Sequence, residues 1–184
     1  MNSIVKEAQN KMDKSLETLK SELSKIRTGK ATTALLDGVK VSYYGSLTPL
    51  NQLANVSVLD SHTLSVTPWD KNSLNDIDKA ILKADLGLNP QSDGTNLKIP
   101  IPPLNEERRR DFVKIAKKFG EDTKIAIRNV RRDANDSLKK LEKNKEISED
   151  LRRSLEQEVQ KYTDEHIKKI DDLIKHKETE IMEV

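Results

Sequence analysis

Every one of the six prolines lies between Pro49 and Pro103. From Asn105 to the last residue there is none. Proline removes a backbone donor and clashes with the preceding helical turn. Long helices are therefore excluded from the middle of the chain and allowed on either side of it. The stretch 30–104 also holds four of the six glycines. The sequence is thus divided before any hydrophobic pattern is considered.

The flanks carry helical periodicity. Over residues 3–28, Val5, Ala8, Met12, Leu16, Leu19, Leu23 and Ile26 recur in steps of three and four, one seam of an amphipathic helix. Ser3 is its expected cap and Gly29 its expected left-handed stop. Over 105–143 the apolar stripe reads Phe112, Ile115, Phe119, Ala126, Val130, Ala134 and Leu141, with Asn105 as cap after Pro102-Pro103. Gly120 inside it costs about 1 kcal/mol relative to alanine and reads as a weak point or a close contact. Over 148–182 the inner face reads Leu151, Leu155, Val159, Tyr162, Ile167, Ile170, Ile174 and Ile181, with Ser148 as cap. Helices of this length are on the order of 40–60 Å long. None buries its stripe alone, so the simplest solution is a three-helix bundle formed by 1–29 and 105–184. The short linker 143–147 makes the last two helices antiparallel. With each stripe used inside one bundle, a monomer is expected.

Within 30–104, Val39, Val41 and Tyr43 alternate, as do Leu64 with Val66, and Leu97, Ile99 and Ile101. These are strand signals, with Tyr44-Gly45 and Asp93-Gly94 as turns. Leu74, Ile77, Ile81 and Ala84 mark a short helix after Ser73. The expected class is α+β: a long helical bundle with a small β-rich domain inserted at 30–104. The chain crosses between them twice, near Thr28–Ala31 and near Pro102–Asn105, where a hinge can form. Trp69 is expected to pack inside the small domain. Of Tyr43 and Tyr44, one ring points in and one out.

Composition narrows the chemistry. Charged residues are 35% and apolar residues 34%, so much surface stays exposed. There is no cysteine, which excludes disulfides and thiolate zinc sites and suits a reducing cytoplasm. The start has no signal-peptide pattern, and no apolar run is long enough to span a membrane. Thr28-Gly29-Lys30-Ala31 resembles the end of a phosphate loop, but Ser24 stands where its first glycine belongs. His62, His166 and His176 are not spaced as metal ligands. The neighbours Asp171 and Asp172 diverge on a helix. No catalytic group, cofactor or metal is expected.

One feature looks like a site. On the second long helix, Arg110, Lys114, Lys117, Lys124, Arg128, Arg131 and Arg132 fall within about 60° of one line, opposite the stripe through Phe112, Phe119 and Val130. From Arg108 to Arg132 ten basic residues stand against three acids. Such a face suits phosphate backbones, and lacking interleaved aromatics it suits backbone and shape over splayed bases. Charge alone leaves a merely solvated face as the equal alternative. Three readings follow: an RNA-binding factor, a helical adaptor, or an enzyme on the small domain.

Longer motifs separate them. Lys25-Ile26-Arg27-Thr28-Gly29-Lys30-Ala31, Tyr43-Tyr44-Gly45, the stretch from Pro49 to Ala54, the stretch from Asp85 to Pro90, and Pro100-Ile101-Pro102-Pro103-Leu104 with Glu106-Glu107-Arg108-Arg109 resemble the ribosome recycling factor family. So do Arg128-Asn129-Val130-Arg131-Arg132-Asp133-Ala134-Asn135-Asp136 and Lys145-Glu146-Ile147-Ser148-Glu149-Asp150. The resemblance runs end to end. It implies an L-shaped molecule of nearly tRNA size, with the inserted domain a β/α/β sandwich. It implies a protein that works by binding large-subunit rRNA of the 70S ribosome, with elongation factor G and GTP helping it part the subunits after termination. It makes Arg128, Arg131 and Arg132 the principal rRNA contacts, with Arg110, Lys114 and Lys117 beside them, and puts the hinge at Gly29, Lys30, Pro103, Leu104 and Asn105. Lys30, where the family often has arginine, and Gly120 are its mild departures.

Overall fold

A computed structural model describes residues 2–183. The chain falls into two compact units, 1–26 with 107–184, and 27–106. Each unit has its own apolar core.

The first unit holds three helices: α1 (Ser3–Ser24), α3 (Glu106–Lys143) and α4 (Glu149–Met182). Asn2, one residue before the expected Ser3, caps α1 by accepting from the Ile4 amide at 2.9 Å. The helix also stops earlier than its periodicity suggests. The amides of Lys25 and Ile26 bond to carbonyls three residues back and tighten the last turn. Ile26 still reaches the core, so the apolar pattern outlasts the helix. Ser148 caps α4 as expected, accepting from the Leu151 amide at 3.1 Å.

The buried seam of α3 is displaced from its sequence-based position. It runs through Ala116, Gly120, Ile127, Ala134 and Leu138. Phe112, Phe119 and Val130 are only partly buried at its border, and Ile115 is 41% exposed. The cause is that α3 meets two neighbours. Its Phe119–Ala126 flank borders a crevice against α1, and Gly120 abuts Ile174 of α4. Small residues share the buried seam with Ile127 and Leu138, and the rings of Phe112 and Phe119 fill its margins. The α4 seam likewise includes Thr163 and His166, and Leu151 is exposed. The ring of His166 lies 2.7 Å from Asp13 Oδ1 and 2.6 Å from the Tyr162 carbonyl, so each nitrogen faces an acceptor. This histidine is a structural tie between α1 and α4. The α3–α4 corner is clamped by Arg152 between Glu142 and Glu156.

The second unit contains a hairpin, β1 (Lys40–Tyr43) with β2 (Ser46–Pro49), and a four-stranded antiparallel sheet. The sheet order is β3 (Ala54–Asp60), β4 (Thr63–Pro68), β6 (Leu97–Pro100) and β5 (Gln91–Ser92). The hairpin turn is Tyr44-Gly45, with φ of 47° and 82°. Two positive φ values match the twist that a two-residue hairpin needs. Helix α2 (Leu74–Lys83) buries Leu74, Ile77 and Ile81 in one core with Val41, Leu64, Val66, Leu97 and Ile99. Trp69 is not part of that core; it is 67% exposed. Strands β2, β3 and β5 lie outside the runs expected from the sequence, although Ala54, Val56 and Val58 of β3 alternate with Asn55 and Ser57.

The chain around the two crossings is held by this unit. The Arg27 guanidinium donates to the Leu86 carbonyl. Gly29 has φ +79°, and a Cβ there would lie 3.3 Å from the Leu104 nitrogen. The β3–β4 turn touches both crossings. Ser61 accepts from the Ala31 amide at 2.8 Å, His62 Nδ1 donates to the Gly29 carbonyl at 3.0 Å, and the His62 carbonyl accepts from Ile101 at 2.7 Å. Gly29 is thus a packed turn and not the stop of α1.

Candidate nucleic-acid interface

All seven basic residues of the sequence-based set lie on α3. With the buried seam through Ala116, Ile127 and Leu138, the basic line runs down the flank of α3 beside α4 and not directly opposite the core. This splits the set. Lys117, Lys124 and Arg131 lean toward α4. Lys117 Nζ is 3.6 Å from Glu178, and an Arg131 guanidinium nitrogen donates to Gln160 at 3.1 Å. Lys124 is the most committed. Its ammonium lies 2.6 Å from Asp171 and 3.1 Å from Glu121, with only 16% of the side chain exposed. The hydrogen bond to Asp171 holds this lysine above its ordinary value, against the opposing pull of burial.

Arg110, Lys114, Arg128 and Arg132 are exposed. Among the described residues, Lys114, Arg128 and Arg132 take part in no ion pair. Their charge is available to a phosphate, whereas Lys124 would first have to leave two carboxylates. Arg128 and Arg132 stand about one turn apart on a rigid helix, as Arg110 and Lys114 do, and such pairs suit backbone oxygens. Ile125, 52% exposed on the same side, is an apolar element that a count of charges misses.

The remaining chemistry-bearing residues do not converge. His166 is buried in the bundle, His62 serves the β3–β4 turn, and His176 is exposed on α4. Among the described residues no three histidines, aspartates or glutamates are gathered as a metal group. Among the described residues no helix is long and apolar enough to cross a membrane.

Comparison with known proteins gives concordant matches. The family model described as Ribosome recycling factor matches residues 19–182. The chain is 52% identical over 184 residues to a ribosome-recycling factor of Nitratidesulfovibrio vulgaris (strain DP4), spanning 100% of this chain and 99% of that protein. A solution structure of a ribosome recycling factor superposes with a TM-score of 0.80 at 41% identity, covering 98% of this chain and 96% of the other. A second structure, of the T. thermophilus ribosome recycling factor and the E. coli elongation factor G bound to the E. coli post-termination complex, matches at 49% identity. Its TM-score is 0.66, over 98% of this chain and 97% of that one.

Proposed function

The chain belongs to the ribosome recycling factor family, and from that premise we propose that it binds the large-subunit rRNA of the post-termination 70S ribosome through the outer basic flank of α3. Together with elongation factor G and GTP, it promotes separation of the subunits so that translation can start again. The observation that carries the RNA-binding half is the run of exposed basic residues on α3, three of which have no internal acid to satisfy them. Arg110, Lys114, Arg128 and Arg132 lead the contact. Lys117 and Arg131 border it and reorient on binding, and Lys124 contributes least because Asp171 and Glu121 hold it.

In this reading the protein is a monomer that acts in the cytoplasm by occupancy and displacement, not by catalysis, and GTP is hydrolysed by the partner. The bundle, 1–29 with 105–184, carries the RNA face, and the inserted domain, 30–104, moves against it about Gly29, Lys30, Pro103, Leu104 and Asn105.

Pelleting with 70S ribosomes and with isolated large subunits, at two or more salt concentrations, tests this. The expected result is binding to both that weakens steeply with salt. Arg128→Ala and Arg132→Ala should each flatten the slope of log affinity against log salt by about 0.7 to 0.9, the value of one phosphate contact, with helicity unchanged. Lys124→Ala should leave that slope nearly as it was. Binding that is indifferent to salt, or to both arginines, rules the surface out.

A further inference from the structure

Strand β3 is the outer strand of the four-stranded sheet, paired on one side only, with β4. Its register shows which backbone groups face outward. Antiparallel pairs alternate between hydrogen-bonded and non-hydrogen-bonded. Pro68, which has no N–H, stands opposite Ala54, and the Trp69 amide bonds to the Leu53 carbonyl. The bonded pairs are therefore Asn55 with Thr67, and Ser57 with Ser65. Val56, opposite Val66, and Val58, opposite Leu64, fall in the non-bonded phase. Their amides and carbonyls turn away from the sheet.

An open edge of this kind invites pairing, and free edges are usually blunted by lysine, proline or a bulge. Ala54 to Leu59 contain no charge and no proline. The one register shift lies between Val58 and Asp60, so it leaves Ala54–Val58 regular. Val58 and Leu59 are 50% and 56% exposed. Beside this edge runs a groove lined by Val56 together with Leu36, Val39, Pro49 and the exposed Trp69.

We propose that the β3 edge and this groove dock an extended segment of a protein partner on the ribosome, which pairs with Val56 and Val58 as an added strand and places apolar side chains over Trp69. The backbone groups demand an extended chain, and peptides commonly join sheets in this way. The charged side chains lining the groove are Asp37 and Lys40, one of each sign, so it offers a phosphate backbone nothing. A second copy, which would pair edge to edge, is separated from a partner segment by the test below.

The inference rests on ribosome binding as read above. Its test is amide hydrogen exchange, resolved by residue, on the full chain in four states: free, on 70S ribosomes, on 70S ribosomes with elongation factor G and a non-hydrolysable GTP analogue, and with protein-free 23S rRNA. Pelleting is measured in parallel. Exchange at Val56 and Val58 should slow by about tenfold or more in at least one ribosome state, the effect of one added backbone hydrogen bond. Asn55 and Ser57, already bonded to β4, should change little. Val56→Pro removes an outward donor without touching the ladder, and should abolish protection at Val58 while pelleting persists. If circular dichroism shows that variant unfolded, Val58→Lys gives the same reading by setting a charge on the edge. A chain that pellets with Val56 and Val58 unchanged overturns the proposal alone. Equal protection by protein-free rRNA overturns it in favour of RNA, and protection in the free chain that grows with concentration and sediments as a dimer overturns it in favour of a second copy. A chain that does not pellet overturns the ribosome reading and this inference with it.

Discussion

Gly120 marks a close contact between α3 and α4. A Cβ there would lie 2.7 Å from Ile174 Cγ1 and 3.0 Å from its Cδ1. Alanine would favour the helix by about 1 kcal/mol, but the overlap costs about 1–3 kcal/mol in a packed core. Gly120→Ala should therefore destabilise the bundle in urea unfolding, and Ile174→Ala, which removes both overlapping carbons, should recover part of that loss in a double-mutant cycle. Recovery fails if the glycine matters only for helix flexibility. Residues of this kind explain why the sequence misleads about the inner face of α3. A search for apolar side chains settles on Phe112, Phe119 and Val130 and passes over Ala116, because closeness of approach leaves no hydrophobic signature; Gly120, readable as a weak point or a close contact, is the close contact. The exposed arginines are legible because charge is a property of the residue itself. The capture of Lys124 by Asp171 is not, since it depends on which helix lies alongside.

At the scale of elements, the β3–β4 turn has the clearest dependence on conditions. Asp60 accepts from the His62 amide at 2.8 Å. That backbone hydrogen bond, helped by Thr63, holds the Asp60 carboxyl below its usual value. A depressed folded value means that the stabilisation is complete above the ordinary aspartate range, about 4, and is lost as pH falls through the lower folded value. The turn should loosen in acid, and with it the bonds from Ser61 and His62 to Ala31, Gly29 and Ile101. Amide exchange at Ala31 and Ile101 across pH 2–6 measures this; Asp60→Asn should reduce the acid dependence, and an identical profile in both proteins would exclude the carboxylate as its source. Most elements are legible where one face is buried: β1, β4, β6 and α2 alternate or repeat as their burial requires. The edge strand β3 alternates as well, Ala54, Val56 and Val58 against Asn55 and Ser57, yet it stands outside the strands expected from the sequence. The end of α1 is misplaced by periodicity because Ile26 keeps the apolar rhythm after the backbone has left the helix.

For the whole molecule, the confinement of proline to one stretch is the most informative sequence feature, since it foretells an insertion interrupting a helical bundle. The two cores share no residue. Leu138, fully buried in the bundle, should cost about 2–5 kcal/mol on substitution by alanine. Under native conditions Leu138→Ala should speed amide exchange in α3 and α4 and leave Leu64, Val66 and Ile99 unaffected; uniform acceleration would mean that the two units open as one.

The tie that Ser61 and His62 make between Ala31, Gly29 and Ile101 has a consequence in polymer terms. When residues 27–106 are folded, α1 and α3 are joined by what is in effect a tight turn; when they unfold, by a flexible loop of that whole length. Loop-closure entropy grows by about 0.6 kcal/mol for each doubling of length, so the difference is roughly 2 kcal/mol. The inserted unit thereby steadies a bundle through the connectivity of the chain alone, by keeping the first helix at high local concentration beside the other two.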